Sequence, residues 1–320
     1  MPKVASSALI AGLIGLVVSI APAHAQLART FVSSLGNDAN DCNRLTPCRT
    51  FQRAHDNSLP LGEITVLDAG GYGSVTITKA ISIINDGVGE AGVLVSGGAN
   101  GITVNAGSND AVNLRGLTVK GIGFGGGNGV VFMRAKSLTV EKCAIRGLDG
   151  SGKGIGLLYT TLQAGGGVHS LAVSDTVITD NQSLGLAIGQ QGPGTLNATI
   201  SRVELHNNGS GLAVDAAAVA SLSGMANATI SDTIATDGAT GFEISAATNS
   251  TTNVVLVRST AAYNGTGVSV AGTGATLRIG QSTITGNGIG WTGTVLQSYG
   301  DNRVNGNGGG EDPMPLIGTK

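Results

Sequence analysis

Aromatic side chains are scarce in this sequence, with one Trp, four Tyr and five Phe among 320 residues. Compact cores usually draw much of their volume from such rings, so an interior here must be built from Val, Ile, Leu and Ala. Charge is equally thin. Only 12% of residues are charged, the formal net charge is −2, and no Lys/Arg cluster exists. That excludes a nucleic-acid partner. After the first 25 residues no apolar run is long enough for a membrane span. Glycine, by contrast, is abundant, with 53 copies and no strict G-x-y period, which excludes collagen. An apolar content of 41% argues against disorder.

The N-terminus has the parts of a secretory signal in order. Lys3 supplies a basic start, Ala8 to Ile20 is apolar, and Ala23-His24-Ala25 offers a small-x-small cleavage site. Cleavage after Ala25 is expected, so that the exported chain begins at Gln26. Cys42 and Cys48 lie in one polar loop, and export predicts a disulfide between them. Cys143 is then the odd cysteine.

The most informative feature is an internal repeat. Leu114, Val140, Val173, Ile200, Ile230, Leu256 and Ile279 serve as equivalent anchors, spaced by 26, 33, 27, 30, 26 and 23 residues. Five places after them stand Val119, Ile145, Ile178, Leu205, Ala235, Ala261 and Ile284, all apolar. A glycine followed by an apolar residue then opens another short strand, as in Gly185-Leu186, Gly211-Leu212, Gly241-Phe242 and Gly267-Val268. Residues between these marks alternate or are β-branched, which is strand chemistry. Asn-Gly and Gly-x-Gly punctuation supplies residues able to adopt positive φ in turns. The expectation is all-β: stacked coils in which each strand pairs in parallel with its equivalent, about 4.8 Å away. Length variation falls in loops that leave the stack.

This pattern resembles the right-handed parallel β-helix superfamily, the pectin-lyase-like fold, over roughly residues 29 to 309. Its entrance is the more specific part: Phe31-Val32-Ser33, then Gly36-Asn37-Asp38-Ala39-Asn40, then Pro47-Cys48-Arg49-Thr50-Phe51-Gln52-Arg53-Ala54. The resemblance implies a first strand, a polar loop and a short N-terminal capping helix, with Thr50 at the helix start and Phe51 and Ala54 facing the open end of the core. The organisation expected is a signal peptide over 1–25, the strand, disulfide loop and capping helix over 26–60, a single-stranded solenoid over 61–309, and a C-terminal tail over 310–320.

Stacking lets each offset be read as a column. Two places beyond the anchor lie Lys142, Asp175, Arg202, Asp232, Arg258 and Gln281, whose alternating signs read as a structural ladder. Three places beyond lie Cys143, Thr176, Val203, Thr233, Ser259 and Ser282, small and inward, which makes Cys143 a buried and unreactive thiol. Eight places beyond the later anchors, Asn181, Asn208, Asn264 and Asn287 resemble the amide ladders of β-helix turns.

Among outward positions, Glu204 and His206 share one coil, with Arg146 two coils earlier, a set suited to acid–base work on a sugar. The catalytic motifs of the family are missing: there is no adjacent Asp-Asp, no His-Gly, and only Arg278-Ile279-Gly280 of a third. The nearest approach to a lyase-type acid–base pair is Asp149 with Lys153. Tyr299-Gly300-Asp301-Asn302-Arg303 is not the epimerase signature and resembles a closing strand. Sugar contacts would fall to Tyr72, Tyr159, Tyr263, Trp291 and Tyr299. No metal or cofactor is implied. Two readings follow: an exported, non-catalytic β-helix that contacts polysaccharide, and a polysaccharide lyase, hydrolase or epimerase with a non-standard site.

Overall fold

The computed structural model describes residues 26–123, 126–150, 153–161, 167–216, 224–293 and 295–318. The expected signal peptide lies outside them. Among the described residues the chain winds through about nine turns, and every strand pairing is parallel, in one nineteen-stranded and one nine-stranded sheet. The only helix among the described residues is Phe51–Asn57.

The repeat register read from the sequence is the register of the sheets. Leu114 pairs with Val140, Val140 with Val173, Val173 with Ile200, Ile200 with Ile230, Ile230 with Leu256, and Leu256 with Ile279. Each of these anchors is at most 1% exposed. They form an aliphatic stack flanked by the stack of Val119, Ile145, Ile178 and Leu205 and by that of Leu157, Leu186, Leu212 and Phe242. A strand such as Thr251–Val257 alternates half-buried and buried positions, because successive side chains point to opposite faces.

One detail departs from expectation. The glycines that open the nine-stranded face are required by close approach and not by positive φ. A Cβ on Gly129 would lie 2.5 Å from Gly156 O, and one on Gly241 would lie 2.7 Å from Gly267 O. Positive φ is instead carried by two corner columns. One holds Gly116, Lys142, Asp175, Arg202, Asp232, Arg258 and Gln281; the other holds Gly147, Asp180, Asn207, Asp237, Tyr263 and Gly286.

Both ends of the described stack carry extra chain. At the first coil, Phe31 N donates to Cys42 O and Cys48 N to Phe31 O, and a disulfide joins those two cysteines. The loop therefore pairs with the otherwise open edge of strand Leu27–Val32. Thr50 caps the helix by accepting from Arg53 N at 3.2 Å, and Phe51 and Ala54 are fully buried. At the other end the segment after Glu311 folds back. Ser298 N donates to Pro315 O, Ile317 N donates to Ser298 O, and Met314 is buried.

Candidate functional site

The first corner column turns the chain through a left-handed residue, which costs a side chain about 1–2 kcal/mol relative to glycine. Its neighbours offset that cost. Thr176, Thr233, Ser259 and Ser282 each donate their hydroxyl to the carbonyl two residues back, at 2.8–2.9 Å. The amide of the preceding coil then donates to that hydroxyl, as Thr233 N does to Ser259 Oγ. Cys143 occupies the same column, with Sγ 3.3 Å from Glu141 O. Burial pushes its thiol up to about 11, so it is a poor nucleophile. The charges above pair two by two. Arg202 holds Asp175 through Nε and Nη2 at 2.7 and 2.8 Å, and Arg258 holds Asp232 at 2.8 and 2.9 Å. These guanidinium hydrogen bonds keep both carboxyls below their ordinary range.

The ladder stops at Gly116, where a side chain would collide with Asn85 O. What remains is an open cavity of about 410 Å³ lined by Asn85, Asp86, Gly87, Arg115, Gly116 and Lys142. Three neighbouring coils meet in it. Arg115 Nε is 3.1 Å from Asp86 Oδ1, Arg115 Nη1 is 3.2 Å from Glu141 Oε2, and Lys142 Nζ is 3.9 Å from Glu141 Oε1. Asn85 fixes one wall. Its Nδ2 donates to Gly89 O and Gly116 O while its Oδ1 accepts from Gly87 N and Val88 N.

The residues singled out by sequence are partly brought together. His206 Nε2 lies 3.2 Å from Glu204 Oε2, and His206 Nδ1 lies 2.9 Å from Thr236 Oγ1. The result is a carboxylate–imidazole–hydroxyl chain across two coils. Arg146 stays apart: Thr179 stands between it and His206 in the pairing, which puts two coil spacings, about 10 Å, between them. Asp149 and Lys153 do not meet either. Asp149 Oδ1 accepts from Gly126 N, and Lys153 Nζ donates to Gly98 O, so each ties a loop to an earlier coil. No group of three or more His, Cys, Asp or Glu among the described residues is arranged to hold a metal ion.

The aromatic candidates divide by burial. Tyr159 is corrected from a sugar contact to a core residue: fully buried, its ring stacks on Phe132 at 3.9 Å, because its position in strand Leu157–Thr161 points inward. Tyr72 is also buried and hydrogen-bonded to Asp68. Trp291 is half-buried and donates to Asp312 O, and the Tyr299 ring lies against Gly280, so both help close the last coils. Tyr263 differs. It is 68% exposed, sits at φ +58°, and its ring lies over Gly286, where a Cβ would be 2.8 Å from the ring. It directly follows Ala262, which pairs with Thr236.

No protein-family model matches the chain. No curated protein matches it in sequence. Among solved structures, the pectate lyase Pel9A superposes with a TM-score of 0.56 at 14% identity, over 92% of this chain and 78% of that one. The chain has the right-handed parallel β-helix fold of the pectin-lyase-like type. A GH136 lacto-N-biosidase from Eubacterium ramulus aligns with a TM-score of 0.48 at 12% identity, over 91% of this chain and 67% of its own, too loosely to carry an argument. At these identities the likeness concerns the fold alone.

Sequence reasoning about this β-helix missed Asp86, Arg115 and Glu141. Arg115 and Glu141 each stand one place after an anchor, so a further column would have paired them. Asp86 lies in a turn between strands, where the repeat gives no register.

Proposed function

We propose that this protein is exported and contacts polysaccharide through the outer surface of its β-helix. Tyr263 carries the reading. A bulky residue held in left-handed backbone costs stability, and such strain persists where something else selects for it. Here it lays an aromatic ring over Gly286 with most of its surface in solvent. Such a ring offers an apolar face to the C–H face of a pyranose. The disulfide and the fold shared with a polysaccharide-acting enzyme support export and a carbohydrate partner. The test is affinity electrophoresis through gels containing soluble glycans, together with pull-down on insoluble ones. Tyr263→Gly suits the backbone and removes the ring, so it should fold and lose retention. Full retention by that variant, or no retention of the wild type by any glycan, refutes the reading.

A second reading, a polysaccharide lyase, hydrolase or epimerase, is favoured by the convergence of Asp86, Arg115 and Glu141 across neighbouring coils. A lyase or hydrolase would release unsaturated or reducing ends from a polysaccharide, and an epimerase would change the polymer's sugar composition without cleavage; the wild type should do one of these and Glu141→Gln should not.

A further inference from the structure

We propose that the cavity at Gly116 is a binding subsite for an uncharged sugar; the inference rests on the polysaccharide reading above. Its charges set the class of ligand. Asp86 and Glu141 bracket Arg115, and Lys142 lies between Glu141 and the Asp175 of the next coil. The lining carries Asp86, Arg115 and Lys142, and Glu141 beside it pairs with both cations, so the four charges together sum to zero and no net field draws in an anion. A uronate carboxylate placed there would face Asp86, with Arg115 and Lys142 already beside Glu141.

A sugar hydroxyl, by contrast, is donor and acceptor at once, and needs both kinds of partner side by side. The guanidinium–carboxylate pairs supply that. Arg115 uses Nε and Nη1 on its two acids, and its Nη2 makes no hydrogen bond among the described residues. The carboxylate of Asp86 is 71% exposed and keeps unused lone pairs. Vicinal hydroxyls can therefore bridge Arg115 Nη2 and a neighbouring carboxylate.

Shape agrees with this chemistry. The volume, about 410 Å³, falls within the roughly 300–1,000 Å³ common for small-molecule sites. Two glycines, Gly87 and Gly116, keep side chains out of it, and the four hydrogen bonds of Asn85 hold the wall before any ligand arrives. A preformed wall lowers the cost of ordering the site on binding.

The experiment titrates the ¹⁵N-labelled protein with cellohexaose, xylohexaose, mannohexaose and hexagalacturonate, reading amide shifts and saturation transfer. The expected result is binding of at least one neutral hexaose, with shifts at Gly87, Gly116 and Lys142. Asp86→Asn, at an exposed position, should fold normally and weaken that binding about tenfold or more, the loss of a charge-assisted hydrogen bond. Arg115→Gln should do the same, provided its far-UV spectrum is native. Tighter binding of hexagalacturonate than of every neutral sugar overturns the inference. So does neutral binding that both variants leave unchanged, which would keep the polysaccharide reading and move the contact elsewhere. Failure of the wild type to bind any of these sugars or any polymer sinks both.

Discussion

Replacing Asn287 by Ala removes a buried rung from the amide ladder, and its cost can be worked from the hydrogen bonds. Asn287 is 2% exposed. Its Oδ1 accepts from Asn264 N at 2.9 Å and Asn264 Nδ2 at 3.1 Å, while its Nδ2 donates to Ala261 O, Thr285 O and Asn307 Oδ1. After truncation Asn264 Nδ2 keeps Ala235 O and Ala262 O as acceptors, and Thr285 O keeps Tyr263 N as donor. The Asn264 amide N–H loses its partner in a dry site. One buried orphan costs about 1–3 kcal/mol, and the other lost bonds add of order 1 kcal/mol, so about 2–4 kcal/mol is expected.

Asn227→Ala is the control. Asn197, Asn227 and Asn253 form a similar amide row, at 3.0 and 3.2 Å, on the half-exposed outer face, where water replaces what is lost. That change should cost within about 0.5 kcal/mol. Solenoids need not unfold in one step, so urea titrations should follow both far-UV circular dichroism and the fluorescence of Trp291, the sole tryptophan, in a strand four residues past Asn287. Asn287→Ala should lower the Trp291 midpoint more than the dichroism midpoint. Equal costs for the two variants would refute the claim that burial, and not the amide row itself, gives the inner ladder its weight.

Other outcomes follow from the same geometry. His55 is buried, and burial lowers its pKa below the ordinary 6.5, aided by Lys79 and opposed by Asp56; its Nε2 accepts from Thr78 N. The unfolded chain thus binds the proton more readily, and stability present at neutral pH should be lost as pH falls below about 6.5. Urea midpoints at pH 7.5 and 5.5 should differ less in His55→Gln than in the wild type. Cys143→Ser should leave stability within about 1 kcal/mol, since serine already serves that column at Ser259 and Ser282, and the wild-type thiol should resist alkylation until denaturant is added. Mutating Cys42 and Cys48 to Ser should cost about 2 kcal/mol by loop entropy and increase exchange at the Phe31 amide, which the loop covers. Tyr263→Gly should remain within about 1 kcal/mol of the wild type by thermal melting, because relief of left-handed strain offsets the entropy of glycine.

Much of this molecule is determined locally. Strand alternation and a repeat of twenty-odd residues suffice to set the register, because a one-residue slip would turn every aliphatic anchor from Leu114 to Ile279 out of the core. The inward place of Cys143 and the opposed charges of Asp175 and Arg202 follow from that register alone. Three matters belong to the tertiary structure. The left-handed corners are invisible in Lys142 or Arg258, residue types with no preference for positive φ, and only Gly116, Gly147, Gly286 and the Asn and Asp positions hint at them. The burial of Tyr159 and the exposure of Tyr263 depend on which side of a strand or corner each ring leaves. Finally, Asp86 reaches Arg115 from a turn whose length the repeat does not constrain, so the cavity at Gly116 exists only once three coils are stacked.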